Sequence, residues 1–137
     1  MSNNNVVLLL ARILLSIIFI LAGLQKFGDI AGTAGYIASA GIPASGLLAW
    51  VSAAFETLAG IAILVGFQTK ISAWLLALFC IFTGFAFHLT AANAATDPMM
   101  NQIQMIMFMK NLAIAGGFLL LGVTGAGALS VDAKRAA

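Results

Sequence analysis

Charge is what this sequence has least of. Of 137 residues only 7% are Asp, Glu, Lys or Arg, while 63% are hydrophobic. Soluble domains carry about 25% charged residues. A chain this short and this poor in charge cannot clothe a soluble surface, so lipid is the solvent for most of it. Cysteine is nearly absent as well: Cys80 alone excludes an internal disulfide and any C-x-x-C redox pair. A single histidine, His88, excludes a bis-histidine haem within one chain. No Cys/His/carboxylate cluster has metal-site spacing, and no glycine-rich phosphate loop follows a strand. The net charge of +2, from scattered basic residues, gives no nucleic-acid footprint.

What the sequence does have is four long apolar runs. After the polar MSNNN, residues 6–27 are apolar except for Arg12, Ser16, Gln25 and Lys26. About 20 residues at about 1.5 Å each span a bilayer core of roughly 30 Å. The run lacks the basic flank and small-residue cleavage site of a secretory leader. Further runs cover about 44–67, 71–90 and 100–123. Together they predict an all-α membrane protein, a single domain over 1–137 built as a four-transmembrane-helix bundle. Between the first two runs, Asp29 is a fair helix N-cap and Gly41 with Pro43 a fair stop. Ile30, Ala34 and Ile37 form a short apolar stripe, which predicts a short interfacial helix carrying Tyr36 at the membrane surface. The closing GAGALSVDAKRAA reads as a small-residue, polar tail. Lys70, Lys134 and Arg135 share one side of such a bundle, opposite Asp29 and Asp97. The positive-inside rule then puts both termini in the cytoplasm.

Glu56 lies near the middle of the second run. A carboxylate at membrane depth costs about 2.5–3.5 kcal/mol on insertion scales, so such residues default to a functional reading. The competing reading is a salt-bridge network that fixes helix register. Glu56-Thr57-Leu58-Ala59 matches Lys110-Asn111-Leu112-Ala113 in the fourth run, which points the same way across the membrane. That match predicts a Glu56–Lys110 pair. Arg12 is expected either to reach Glu56 from below or to carry its charge to the interface on its long stem. Gln25 and Lys26 end the first helix, His88 lies near the same face at the end of the third, and Gln102 and Gln104 begin the fourth at that level. With Tyr36 above them, they predict an outward-facing polar pocket. Histidine ordinarily titrates near neutrality, so His88 is the candidate to shuttle a proton or donate to a quinone carbonyl. The methionines of the fourth helix and Cys80 read as packing residues.

The segments LLARILLSIIFILAGLQKFG, AGYIASAGIP, ETLAGIAILVGFQTK and KNLAIAGGFLLL, with the helix-end His88, resemble the DoxX family of bacterial inner-membrane proteins. The resemblance runs from about Leu8 to Asp132. It implies four membrane helices in the inner membrane and carries over Arg12, Lys26, Glu56, His88, Lys110 and Asn111 as site positions. Relatives include the membrane subunit of thiosulfate:quinone oxidoreductase, and mycobacterial members are linked to a membrane oxidoreductase complex that handles thiol stress. Many members are called oxidoreductases by association only. The leading expectation is therefore a membrane subunit of a redox system, quinone-linked, with a redox partner protein. It would bind a dissociable quinone, or a small sulfur or thiol compound, in the outward pocket. His88, Glu56 and Lys110 would be the catalytic groups, and Arg12, Gln25, Lys26, Tyr36, Gln102 and Asn111 the ligand-binding ones. No metal, haem or nucleotide is expected. A non-enzymatic membrane scaffold and a small transporter working as a homo-oligomer are the alternatives.

Overall fold

The computed structural model describes residues 3–137, and it is entirely helical apart from turns. Helix α1 (Asn3–Gly28) leads into the short α2 (Ile30–Ser39), then α3 (Ser45–Val65) and α4 (Thr69–Thr83). A wide π-helical turn, Gly84–Leu89, continues α4 into α5 (Thr90–Ala94), so that Thr69–Ala94 forms one span. Helix α6 (Pro98–Thr124) is the fourth span, and α7 (Val131–Ala136) closes the chain. Four helices are thus long and apolar enough to cross a membrane. Their outer faces carry large apolar side chains, Leu14, Leu120 and Val123 among them, more than 60% exposed and suited only to lipid.

Local chemistry sets the helix ends. Asp29 caps α2 by accepting from the Gly32 amide at 2.9 Å. Asp97 caps α6 by accepting from the Met99 and Met100 amides, with Pro98 at the first helical position, where a missing N–H loses nothing. Gly66 ends α3 at φ +73°, the left-handed turn that a residue without Cβ adopts most easily.

The bundle is two antiparallel hairpins. Helix α1 packs most closely on α3, and α4 on α6, while α1 and α6 keep their backbones apart and meet through side chains. Gly23 and Gly60 allow the first approach. A Cβ on Gly23 would lie 2.8 Å from the Ala53 carbonyl oxygen, and one on Gly60 would press on Ile20 at 2.9 Å. Close contact through small residues is the usual way membrane helices associate. The shared core is Phe19, Ile63, Leu76, Cys80 and Phe118, with Phe19 and Phe118 edge-to-face at 5.4 Å.

The C-terminal segment departs from the expected polar tail. It folds back across the termini end of the bundle. The Asp132 carboxylate accepts from the Gln68 and Thr69 amides at 2.8 and 2.9 Å, and the Asp132 amide donates to the Gly66 carbonyl. Gln68 adopts φ +46°, an unfavourable left-handed conformation for a residue with a side chain, and this carboxylate holds it there. Arg12 does not reach Glu56; its guanidinium runs to the termini end of the bundle, beside the turn at Gly66. It is 1% exposed and donates to the Leu129 carbonyl at 2.6 Å, because the returning segment brings an acceptor to it.

Candidate ligand cavity

At the other end, under α2, a cavity of about 550 Å³ lies between the two hairpins. Small-molecule sites occupy about 300–1,000 Å³ and combine apolar walls with a few polar groups. Helix α1 contributes Ile18, Phe19, Ala22 and Lys26; α2 and its exit contribute Thr33, Tyr36, Ile37 and Ile42. From α3 come Leu48, Val51, Ser52, Phe55 and Glu56. Phe79, Cys80, Phe82 and Thr83 of α4, Phe87 and His88 of the π turn, and Asn111 and Ile114 of α6 complete the wall. Val51 and Phe82 also face outward, 51% and 56% exposed, so the wall reaches the lipid-facing surface between α3 and α4.

Lys26 ends α1, where the helix dipole favours a cation. Its Nζ stands 2.8 Å from Glu56 Oε2, with the carboxylate side chain 5% exposed and the ammonium side chain 27%. The expected Glu56–Lys110 pair does not form. Lys110 points toward Met107 Sδ at 3.3 Å and lines no part of the cavity. One residue is about 100° of helix, and that rotation brings Asn111 into the wall in place of Lys110. Asn111 Nδ2 donates to the Cys80 carbonyl at 3.3 Å and to Thr83 Oγ1 at 3.1 Å, tying α6 to α4.

His88 sits on the π-helical turn, a form that recurs at functional sites because it re-aims side chains. Thr90 Oγ1 donates five residues back to the Phe85 carbonyl and supports the widened turn. His88 Nδ1 lies 2.9 Å from Gln104 Oε1, so Nδ1 donates and Nε2 of the neutral ring keeps its lone pair. A neutral His88 therefore accepts; donation to a carbonyl needs the imidazolium. Tyr36 stacks on Phe87 at 5.3 Å, so α2 lies over the cavity as its roof. Burial raises the Tyr36 phenol above its ordinary pKa.

Of the nine sequence-derived site residues, the cavity wall includes Lys26, Tyr36, Glu56, His88 and Asn111. Arg12 lies at the opposite end beneath the C-terminal segment. Gln25 and Gln102 are exposed and outside the wall, as is the half-buried Lys110. The sequence reading passed over Thr33, Ser52, Thr83 and the cavity contact of Cys80. A signal existed: Cys80, Thr83 and Phe87 fall at i, i+3 and i+7, one helix face.

Four apolar spans around a cavity with an ion pair and an amide in its wall define a small polytopic membrane protein. The chain belongs to the DoxX family, whose sequence profile matches residues 7–89. It is 42% identical over 129 residues to the inner membrane protein YqjF of Escherichia coli (strain K12), covering 94% of this chain and 92% of that protein. It is 39% identical over 131 residues to the inner membrane protein YphA of the same organism, covering 94% and 90%. CatD of Bacillus subtilis (strain 168), provisionally named an oxidoreductase, is 39% identical over 70 residues, 51% of each chain. No solved structure matches the chain.

Proposed function

We propose that the cavity binds the head group of a membrane quinone and that the protein is the membrane subunit of a redox system in the inner membrane. The observation that carries this reading is the convergence of Lys26, Glu56, His88 and Asn111 on one apolar cavity of about 550 Å³ whose wall reaches lipid at Val51 and Phe82. A polar ring fits among the four groups, and its apolar tail leaves between α3 and α4. A small sulfur oxyanion is the weaker ligand. The Lys26 charge is matched by Glu56 at 2.8 Å, so an anion meets no net positive charge there. With one cysteine and one histidine, the chain would hold electrons on a dissociable ligand and pass them to a partner protein. The partial likeness to CatD, provisionally named an oxidoreductase, supports this reading. Lys70, Lys134 and Arg135 at the termini end support cytoplasmic termini, with the cavity toward the outer face.

The test is saturable binding of a short-tail quinone to the purified protein in lipid nanodiscs. Ala22→Phe, which fills the cavity from α1, should weaken binding more than tenfold while the bundle stays folded. His88→Ala should weaken it less than Ala22→Phe does, since a neutral His88 offers a quinone carbonyl no donor. Absence of saturable binding to the folded protein rejects the quinone reading and gives the scaffold reading first place.

A further inference from the structure

We infer that the cavity is built for the reduced, hydroxyl-bearing form of its ligand, so that it holds a hydroquinone more tightly than the quinone. This rests on the quinone reading above and specifies the redox state that the site prefers.

The argument is a count of protons along the polar wall. Ser52 Oγ donates to the Ala49 carbonyl at 3.1 Å, and Thr83 Oγ1 to the Phe79 carbonyl at 2.8 Å. Thr33 Oγ1 donates to the Asp29 carbonyl at 2.9 Å. All three hydroxyls thus spend their hydrogens on their own helices and keep only acceptor lone pairs for the cavity. Both neighbours of the Asn111 amide are acceptors: Cys80 offers a carbonyl, and the Thr83 proton is already committed. The amide must therefore turn its NH2 toward them and keep Oδ1 as its free atom. Among the described residues nothing donates to Asn111 Oδ1 or to Glu56 Oε1, since Lys26 takes Oε2. His88 commits the hydrogen on Nδ1 to Gln104, leaving Nε2 as a further acceptor in the neutral ring.

The donors facing a ligand are then the Lys26 ammonium, one of whose three hydrogens goes to Glu56, the Tyr36 phenol in the roof and the weak S–H of Cys80. A quinone carbonyl brings lone pairs to a wall of lone pairs, which leaves polar groups unpaired in an apolar site. A hydroquinone brings two O–H groups to the same acceptors, and its oxygens still accept from Lys26.

The experiment compares dissociation constants of one short-tail analogue in three forms, quinone, hydroquinone and hydroquinone dimethyl ether, with the nanodisc protein under anaerobic conditions. Hydroquinone should bind at least tenfold tighter than quinone, and the ether should lose that advantage. Tenfold preference raises the two-electron potential of the bound couple by about 30 mV, readable by redox titration. Asn111→Leu should reduce the preference several-fold. Ser52→Ala, which leaves the inter-helix hydrogen bonds intact, should reduce it by about two- to threefold if the hydroxyl oxygen accepts. Quinone binding as tight as hydroquinone overturns the inference and leaves the quinone reading standing. A preference that neither substitution changes overturns the acceptor wall as its cause. Failure of every form to bind rejects both.

Discussion

Lys26 and Glu56, thirty positions apart, meet at 2.8 Å where the last turn of α1 passes the middle of α3. The contact sits on the cavity wall and joins the two helices of the first hairpin. Removing one partner strands a charge in the membrane interior. Lys26→Met and Glu56→Gln should each lower stability by about 2–3 kcal/mol. That is less than the about 3–5 kcal/mol of a fully enclosed pair, because the Lys26 side chain is 27% exposed. The double substitution should recover part of the loss, and Lys110→Met should change little. Thermal unfolding of these four variants and of Glu56→Gln with Lys110→Met in one detergent decides the matter, and recovery in that last variant instead of with Lys26→Met would reassign the partner.

Two glycines make a matched pair of tests. A Cβ on Gly23 would meet Thr57 and the Ala53 carbonyl oxygen, the latter at 2.8 Å, whereas one on Gly116 meets nothing within 4 Å. Gly23→Ala should force α1 away from α3 and lower the melting temperature. Gly116→Ala should be neutral or stabilising by up to about 1 kcal/mol, the helix preference of alanine over glycine.

Asp132 makes the C-terminal closure depend on acid. Desolvation pushes its carboxyl up, but the Thr69 and Gln68 hydrogen bonds and nearby Arg135 together outweigh this and hold it below its ordinary pKa. A depressed folded-state pKa contributes stability that is fully present above the unfolded value, roughly 4, and is lost as pH falls through the lower folded value. Residues 125–137 should stay protected from deuterium exchange at neutral pH and loosen only well below pH 4. Asp132→Asn should loosen them at every pH. Protection that vanishes already near pH 6 would point to another group.

The proposed orientation has a direct readout. In a Cys80→Ala background, a cysteine replacing Thr96 should react with an impermeant maleimide from outside intact cells, and one replacing Lys134 should react only after lysis. The opposite pattern would turn the cavity mouth toward the cytoplasm.

The four spans were legible because long apolar runs bounded by polar turns leave one solution in lipid. The wall residues were only half legible. The match of Glu56-Thr57 with Lys110-Asn111 pointed to Lys110, and Lys26 read only as part of the pocket; the actual partner depends on which helix packs on α3. Gly23 and Gly60 decide it by admitting α1, yet a glycine in sequence does not name the helix that approaches it. The π-helical turn under His88 has no apolar period of its own, so it was not visible. The folded-back C-terminus was hidden by its composition. Small and polar residues read as a tail unless one knows that Arg12, Gln68 and Thr69 wait for a carbonyl and a carboxylate.

The division into two hairpins has a mechanical consequence. Lys26 and Glu56 belong to the first hairpin, His88 and Asn111 to the second, and the cavity is their seam. Neither half encloses the cavity alone, so an occupant touching both walls would act as a clamp between them. Its affinity is then drawn partly from the joint it closes, and the joint tightens by RT ln(1 + [L]/Kd) as the occupant is added. A chain severed in the turn at Gly66–Gln68 would retain two intact fragments. Their rejoining in a bilayer would report occupancy as a change in the fraction paired.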